Sequence, residues 1–306
     1  RSRHESLIAF SNSHFYNNNL ILFPACDDKD DFSGVHGKYV GSVYNAGSNL
    51  GEVEAIVKAA AEFMRENPGK SLGIATMNAQ QQELIDNEME RLFQTDPYAE
   101  AYKSKWADKL EYFFVKNLES VQGDERDVIF ISTVYGPDKG GVVHQRFGPV
   151  NGKSGERRLN VLFTRAKHGM IIFTSLKPED IKIGPNSSKG LQAFKGYLEY
   201  AFTGKLDTGK ITSKSVDSDF ELFVKERLEA KGYEVEPQVG VAGFFIDLAV
   251  KHPDFPYGFL LGIECDGAAY HSSRSARDRD RLRQQVLEGL GWSIYRIWST
   301  DWFHNS

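Results

Sequence analysis

The sequence predicts an α/β protein, a doubly wound and mostly parallel sheet followed by a smaller α/β unit. Three observations carry this. Helix-period and strand-length apolar segments alternate over the first two-thirds of the chain, the pattern of helices laid on both faces of a parallel sheet. A stretch rich in Gly, Lys, Ser and Thr at 203–218 interrupts it. A new order, α-β-β-β-α-β, then fits into the last ~90 residues, enough for one compact domain. A length of 306 residues agrees with two domains.

Leu7 to Phe10 begins one helical pattern. Gly51-Glu52 opens a second, in which Val53, Ile56, Val57, Ala60 and Met64 keep a helical period until Asn67-Pro68-Gly69 stops it. Ser71 to Met77 reads as a buried strand and Ala79 to Phe93 as a helix. Tyr112 to Val115, Val128 to Tyr135 and Met170 to Thr174 are apolar, β-branched or aromatic runs of strand length. Gly140 to Gly155 is a long polar, glycine-rich loop, and loops of that length tend to be functional. It leads through Glu156-Arg157-Arg158 into a helix over Leu159 to Ala166, and Leu191 to Phe202 forms another. The expected boundaries are a first domain at 1–203, a linker at 204–218 and a second domain at 219–306. In the second, Phe220 to Ala230 is an amphipathic helix. Val235 to Val239, Phe244 to Val250 and Phe259 to Cys265 are strands, Ala276 to Leu290 is a helix with Leu282, Val286 and Leu290 on one face, and Ser293 to Trp298 is the last strand.

The composition, 41% apolar and 26% charged, excludes global disorder and collagen-like structure. No apolar run reaches the ~18–20 residues of a membrane helix, so no membrane partner is expected. Two cysteines, Cys26 and Cys265, are too few for a disulfide framework and fit a reducing cytoplasm. The formal net charge of −5 supplies no global attraction to nucleic acid. Residues 217–306 hold 10 Lys and Arg against 15 Asp and Glu, and the rest balances at 27 against 27.

The acidic surplus has a pattern. Asp247 lies in one predicted strand, and Glu264-Cys265-Asp266 ends the next. Side chains alternate along a strand, so Glu264 and Asp266 share a face. Antiparallel pairing through the turn at Pro253 to Gly258 brings Asp247 beside them. Converging carboxylates raise one another's pKa, an arrangement that makes sense chiefly around a cation, and Mg²⁺ prefers such oxygen ligands. His271 follows as a general base, phosphate donor or further ligand.

With Glu221 in the opening helix, Asp266-Gly267, the helix Arg277-Asp278-Arg279-Asp280-Arg281-Leu282-Arg283 and the ending Gly291-Trp292 with Arg296-Ile297-Trp298, this region resembles the PD-(D/E)XK nuclease superfamily. It is nearest the branch related to very-short-patch-repair endonucleases. The resemblance implies a restriction-endonuclease-like fold, Asp247 and Glu264 as ligands of Mg²⁺ or Mn²⁺, and Glu221 as an outer acid. The superfamily's lysine position is occupied by Asp266, which leaves the base open among Asp266, His271 and metal-bound hydroxide. The arginines from Arg274 to Arg283, Arg277 and Arg281 among them, read either as a self-paired solvated helix face or as a phosphate-contacting one.

In the first domain, Val121-Gln122-Gly123-Asp124-Glu125-Arg126-Asp127 precedes a strong strand. Arg157-Arg158-Leu159-Asn160-Val161-Leu162-Phe163-Thr164-Arg165-Ala166-Lys167 opens a helix whose Leu159, Leu162 and Phe163 form one apolar stripe. These segments resemble motifs five and six of superfamily-one helicases, near the nonsense-decay and Dna-two-type branch. Arg1-Ser2-Arg3-His4-Glu5-Ser6-Leu7-Ile8 resembles that family's motif four, and Gly73-Ile74-Ala75-Thr76-Met77-Asn78-Ala79-Gln80 its strand-loop on nucleic acid. The resemblance implies a RecA-like fold, Arg1 and Arg165 at the γ-phosphate of ATP, and Glu125 at the ribose. Gln122 and Gly123 would couple that site to the bound strand, and Thr76 and Ser120 would touch the nucleic-acid backbone. No G-x-x-x-x-G-K-[ST] loop occurs in the sequence, so the phosphate-cradling half of the site is expected in an upstream domain of a longer parent. The expected protein is the C-terminal part of an ATP-dependent DNA helicase fused to a metal-dependent endonuclease, acting in DNA repair, restriction or defence. A catalytically inactive DNA-binding module and an RNA-directed helicase are the rivals.

Overall fold

In the computed structural model, the described residues are 6–17, 20, 32–204, 218–241, 244–253, 255–266 and 274–304. They form two compact units, one built on 6–15 and 32–204 and one on 218–304. No helix among the described residues is long and apolar enough to cross a membrane.

The first unit carries α1 (Ser6–Phe15), β1 (Gly34–Tyr39), α2 (Leu50–Glu66), β2 (Leu72–Thr76), α3 (Ala79–Thr95), α4 (Pro97–Trp106), β3 (Phe114–Asn117), β4 (Arg126–Ser132), α5 (Gly155–Phe163), β5 (Ala166–Thr174) and α6 (Lys189–Thr203). Its sheet is parallel throughout, in the order β1-β5-β4-β2-β3. Apolar residues on both strand faces explain the continuous runs read from the sequence. Ile129, Ile131, Met170 and Ile172 pack under α1, α5 and α6. Val128, Phe130, Ile171 and Phe173 pack under α2, α3 and α4.

Several expected bounds move, each for a local reason. The run Val128 to Tyr135 leaves the sheet at Ser132, because Val134 adopts φ +70° and Tyr135 N–H closes a γ-turn on Thr133 O at 2.8 Å. The helix expected over Leu159 to Ala166 starts at Gly155 and stops at Phe163, and Ala166 already pairs in β5. Strand β3 begins at Phe114 rather than Tyr112. Strand β1 and helix α4 were not expected. α4 carries its start signal openly, since Asp96 Oδ1 accepts from Tyr98 and Ala99 N–H and Pro97 holds the first turn.

The second unit carries α7 (Asp219–Glu229), β6 (Val235–Val241), β7 (Phe244–His252), β8 (Phe255–Asp266), α8 (Arg274–Gly289), β9 (Ile294–Trp298) and a short α9 (Ser299–His304) that sequence reasoning missed. Strands β6, β7 and β8 form an antiparallel meander, and β9 joins β8 in parallel after the α8 crossover. Val224 of α7 packs with Val235, Leu248, Val250 and Ile263 on one side. Leu287 of α8 and Trp292 pack with Ile246 and Ala249 on the other.

Candidate functional site

Two motif-bearing loops of the first unit meet at the N-terminal ends of β4 and β5. Arg126 N–H donates to Arg165 O at 3.2 Å, which sets Glu125 and Arg165 side by side. Gln122 and Gly123 are exposed, and Gly123 turns the loop at φ +91°, where an added Cβ would meet nothing within 4 Å, so the loop face is open. The Arg165 guanidinium folds back on its own helix, with Nε donating to Val161 O at 2.7 Å and Nη2 to Thr164 Oγ1 at 3.1 Å. Arg158 pairs with Glu119 at 3.0 Å. Arg1 lies outside the described residues.

Sequence reasoning missed the residue that shapes this loop. Arg126 is 1% exposed; its Nε donates to Tyr112 O at 2.6 Å and its Nη1 to Glu125 O at 2.7 Å. Its guanidinium lies 4.5 Å from the Phe114 ring centroid and 5.0 Å from that of Tyr112. Desolvation lowers its pKa, with the nearby Asp124 opposing. Arg126→Ala strands two carbonyls and removes both ring contacts, so unfolding in urea is expected to show a loss of about 2–4 kcal/mol.

At the opposite, C-terminal edge, the N-termini of α2 and α3 lie beside one another. Asn49 caps α2 through Glu52 N–H at 3.1 Å, and Asn78 caps α3 through Gln81 N–H at 2.8 Å. Gln81 joins the two: its Oε1 accepts from Asn49 N at 2.9 Å, and its Nε2 donates to Asn49 O at 2.9 Å and to Ser132 Oγ at 3.1 Å. Thr76 is fully buried and its hydroxyl donates to Asn78 O at 2.6 Å, which corrects the expectation that its side chain meets nucleic acid. The outward residues here are Ala79 and Gln80, with Ser120 exposed beyond β3.

Beneath this edge lies Glu52, also missed because Asn49-x-x-Glu52 reads as an ordinary capping box on a surface helix. It is 0% exposed. Its Oε2 accepts from Ser132 Oγ at 2.6 Å and Val134 N–H at 2.8 Å, and its Oε1 from Asn49 Nδ2 at 3.3 Å. Burial lifts the carboxyl from the usual 4.5 to about 7 against the pull of these donors.

In the second unit, β7 and β8 bring the predicted acids together. Leu248 pairs with Ile263, so Asp247 continues the register opposite Glu264, and Asp247 Oδ2 accepts from Cys265 N–H at 2.8 Å. Glu264 and Asp266 are buried, at 7% and 8% exposure. Desolvation, with Asp266 and Glu221 adding repulsion, raises Asp247 to about 6. Desolvation, with Asp247 and Asp266 adding repulsion, raises Glu264 to about 7. Glu221, 6% exposed in α7, accepts from Gln238 Nε2 at 3.0 Å and from Ser218 Oγ at 3.1 Å.

The arginines change the expected picture. Arg283 Nη2 lies 3.0 Å from Glu264 Oε1 and also donates to Phe245 O. Arg296 Nε lies 3.3 Å from Asp266 Oδ2. Arg283 therefore turns to the sheet, matching neither the solvated nor the phosphate-contacting reading. Among the described residues no group of three His, Cys, Asp or Glu side chains is placed to hold a metal ion, and the expected ligands are the pair Asp247 and Glu264. Arg281 is exposed, and the Arg277 side chain and His271 lie outside the described residues. The donors still suit a hard cation. Among the described residues the charge partners of Asp247, Glu264 and Asp266 include the cations Arg283 and Arg296, and two carboxylates with waters satisfy Mg²⁺.

A family model described as AAA domain matches residues 2–177, more than half of the chain. The chain belongs to this AAA domain family. Its AAA domain is the unit holding Glu125, Arg165 and the Glu52 network. A second family model, named REase_MTES_1575, matches residues 220–306, the unit holding Asp247 and Glu264. An uncharacterized ATP-dependent helicase of Mycoplasma genitalium is 29% identical over 318 residues, covering 99% of this chain and 28% of the relative. Its Mycoplasma pneumoniae homologue is 29% identical over 323 residues with the same coverage. This AAA domain chain thus spans under a third of the length of these relatives. A solved C-terminal domain of a possible DNA helicase from Lactobacillus plantarum covers 60% of this chain and 94% of its own at 15% identity, with a TM-score of 0.31.

Proposed function

We propose that the chain is part of a superfamily-one ATP-dependent DNA helicase, of the nonsense-decay and Dna-two-like branch, with a PD-(D/E)XK endonuclease domain of the very-short-patch-repair-like branch. Its domains are 1–203 and 219–306, joined by a linker at 204–218, and its setting is cytoplasmic DNA repair, restriction or phage defence. The observation that carries the nuclease reading is the half-buried Asp247 opposite the buried Glu264 on adjacent strands, with carboxyl pKa values lifted to about 6 and about 7. Groups so perturbed by burial and mutual charge concentrate at functional sites.

Asp247 and Glu264 would hold Mg²⁺ or Mn²⁺, which when bound supplies a Lewis acid for water and phosphate. Arg296 holds Asp266 in place, and Arg283 holds Glu264 and the β7 backbone. The base stays open among Asp266, His271 and metal-bound hydroxide. The test is nicking of single-stranded, duplex and mismatched DNA with the metal varied. Cleavage that depends on the metal supports the reading, and its absence on every substrate favours a DNA-docking module. The pairs Glu264–Arg283 and Asp266–Arg296 are the specific observation on the side of that second reading, because they already neutralise two of the acids.

In the AAA domain, Gln122, Gly123, Glu125, Arg165 and Arg1 would meet ATP at a site shared with a domain outside this chain, and nucleic acid would lie across the edge formed by Asn78, Gln80 and Ser120. The related RNA-directed reading is separated by measuring affinity for matched RNA and DNA strands. Because the sequence has no phosphate-cradling loop, the purified chain is expected to hydrolyse ATP at background rate in a coupled assay.

A further inference from the structure

The C-terminal edge of the AAA domain contains a strained turn and a buried acid bonded to it. Val134 sits at φ +70°, costly for a β-branched residue, and such conformations persist only where their surroundings over-determine them. What fixes this one is Glu52, whose carboxylate takes the Val134 N–H at 2.8 Å. The same carboxylate takes Ser132 Oγ, and through Ser132 it reaches Gln81, the residue after Gln80. Gln81 N–H then meets Asn78, whose Nδ2 donates to Gly47 O at 2.9 Å. Gly47, at φ +93°, lies directly under Gln80: a Cβ there would fall 2.3 Å from Gln80 Oε1. The three glutamines in succession thus divide their work. Gln80 faces outward, Gln81 binds the Glu52 network, and Gln82 Oε1 accepts from Asn117 Nδ2 at 2.7 Å, tying α3 to the end of β3 where Ser120 follows.

We propose that Glu52 is the positioning residue of this edge: it clamps the turn at Val134 and, through Ser132 and Gln81, sets Asn78, Gln80 and Ser120 where a nucleic-acid backbone lies, without itself touching the strand. The inference rests on the nucleic-acid reading of this edge and adds the residue on which affinity depends. Gln at position 52 keeps one oxygen for Ser132 and Val134, so the conservative variant retains the clamp. Ala removes it.

Fluorescence anisotropy of a labelled single-stranded DNA with the full chain tests this. Glu52→Ala is expected to lose at least about tenfold in affinity, and Glu52→Gln to stay within about twofold of wild type. The control for a merely structural role is Leu198→Ala in α6, a buried truncation on the other face of the sheet, compared at equal margin below its melting temperature. Unchanged affinity in folded Glu52→Ala, or an equal loss in Leu198→Ala, overturns the proposal. If Glu52→Ala does not fold, Ser132→Ala removes the hydroxyl between Glu52 and Gln81 while their shared contacts to Asn49 remain; a several-fold loss is expected, and wild-type affinity overturns the proposal. Hydrogen exchange separates this failure from that of the underlying reading. A wild-type chain that binds no strand overturns the nucleic-acid assignment of the edge. Faster exchange at Val134, Tyr135 and Gln81 in Glu52→Ala, restored in Glu52→Gln, still supports the clamp, and unchanged exchange overturns it.

Discussion

Asp247→Ala is expected to abolish metal-dependent cleavage, by about 10²–10³-fold or more, because metal charge stabilisation in phosphate chemistry is worth several kcal/mol. The substitution also removes the acceptor for Cys265 N–H and relieves the repulsion on Glu264, whose raised pKa owes part of its shift to Asp247. Folding should therefore survive, and thermal melting alongside the nicking assay distinguishes loss of chemistry from loss of structure. An Asp247→Ala chain that cleaves as fast as wild type would remove Asp247 from the proposed metal site.

The second large effect concerns stability and pH. Glu52 titrates near 4.5 when unfolded and at about 7 when folded, so the folded state binds the extra proton between those values. Its contribution to stability is fully present below pH 4.5, falls as pH rises through 7, and is flat above. At 1.36 kcal/mol per pH unit the difference amounts to about 3 kcal/mol. Glu52→Gln carries no titrating group, so wild type minus variant should trace this fall in urea midpoints measured from pH 4.5 to 8. A difference independent of pH would show that the carboxylate is already ionised throughout.

The sequence revealed the periodic and chemical parts of the molecule better than the parts set by tertiary contact. The alternating apolar runs placed β2, β4 and β5 because buried parallel strands must be apolar on both faces. The spacing from Asp247 to Glu264 was legible for a similar reason, since strand alternation and a hairpin turn fix it geometrically. Strand β1, Gly34-Val35-His36-Gly37-Lys38-Tyr39, was not legible: it pairs only with β5, and beyond Val35 its side chains are partly or fully exposed. The end of β4 was misjudged because Thr133-Val134-Tyr135 looks like strand until a carboxylate from α2 takes the Val134 N–H. Arg283 was misjudged because helical spacing pairs it with Asp280, whereas packing of Leu287 against Ile246 turns that side of α8 to the sheet. Glu52 gave a true local signal, a capping box, and concealed its burial.

The all-parallel sheet has a mechanical consequence. Strand β4 starts at Arg126, beside the residues proposed to meet ATP, and ends at Ser132, inside the network beneath the proposed strand-binding edge. Seven residues at ~3.3 Å per residue set these ends roughly 20 Å apart. β4 lies between β2 and β5, hydrogen-bonded along both sides, which makes it a stiff link between its two ends. Under the proposed ATP reading, a shift imposed at Glu125 would arrive at Ser132 along a strand of fixed length.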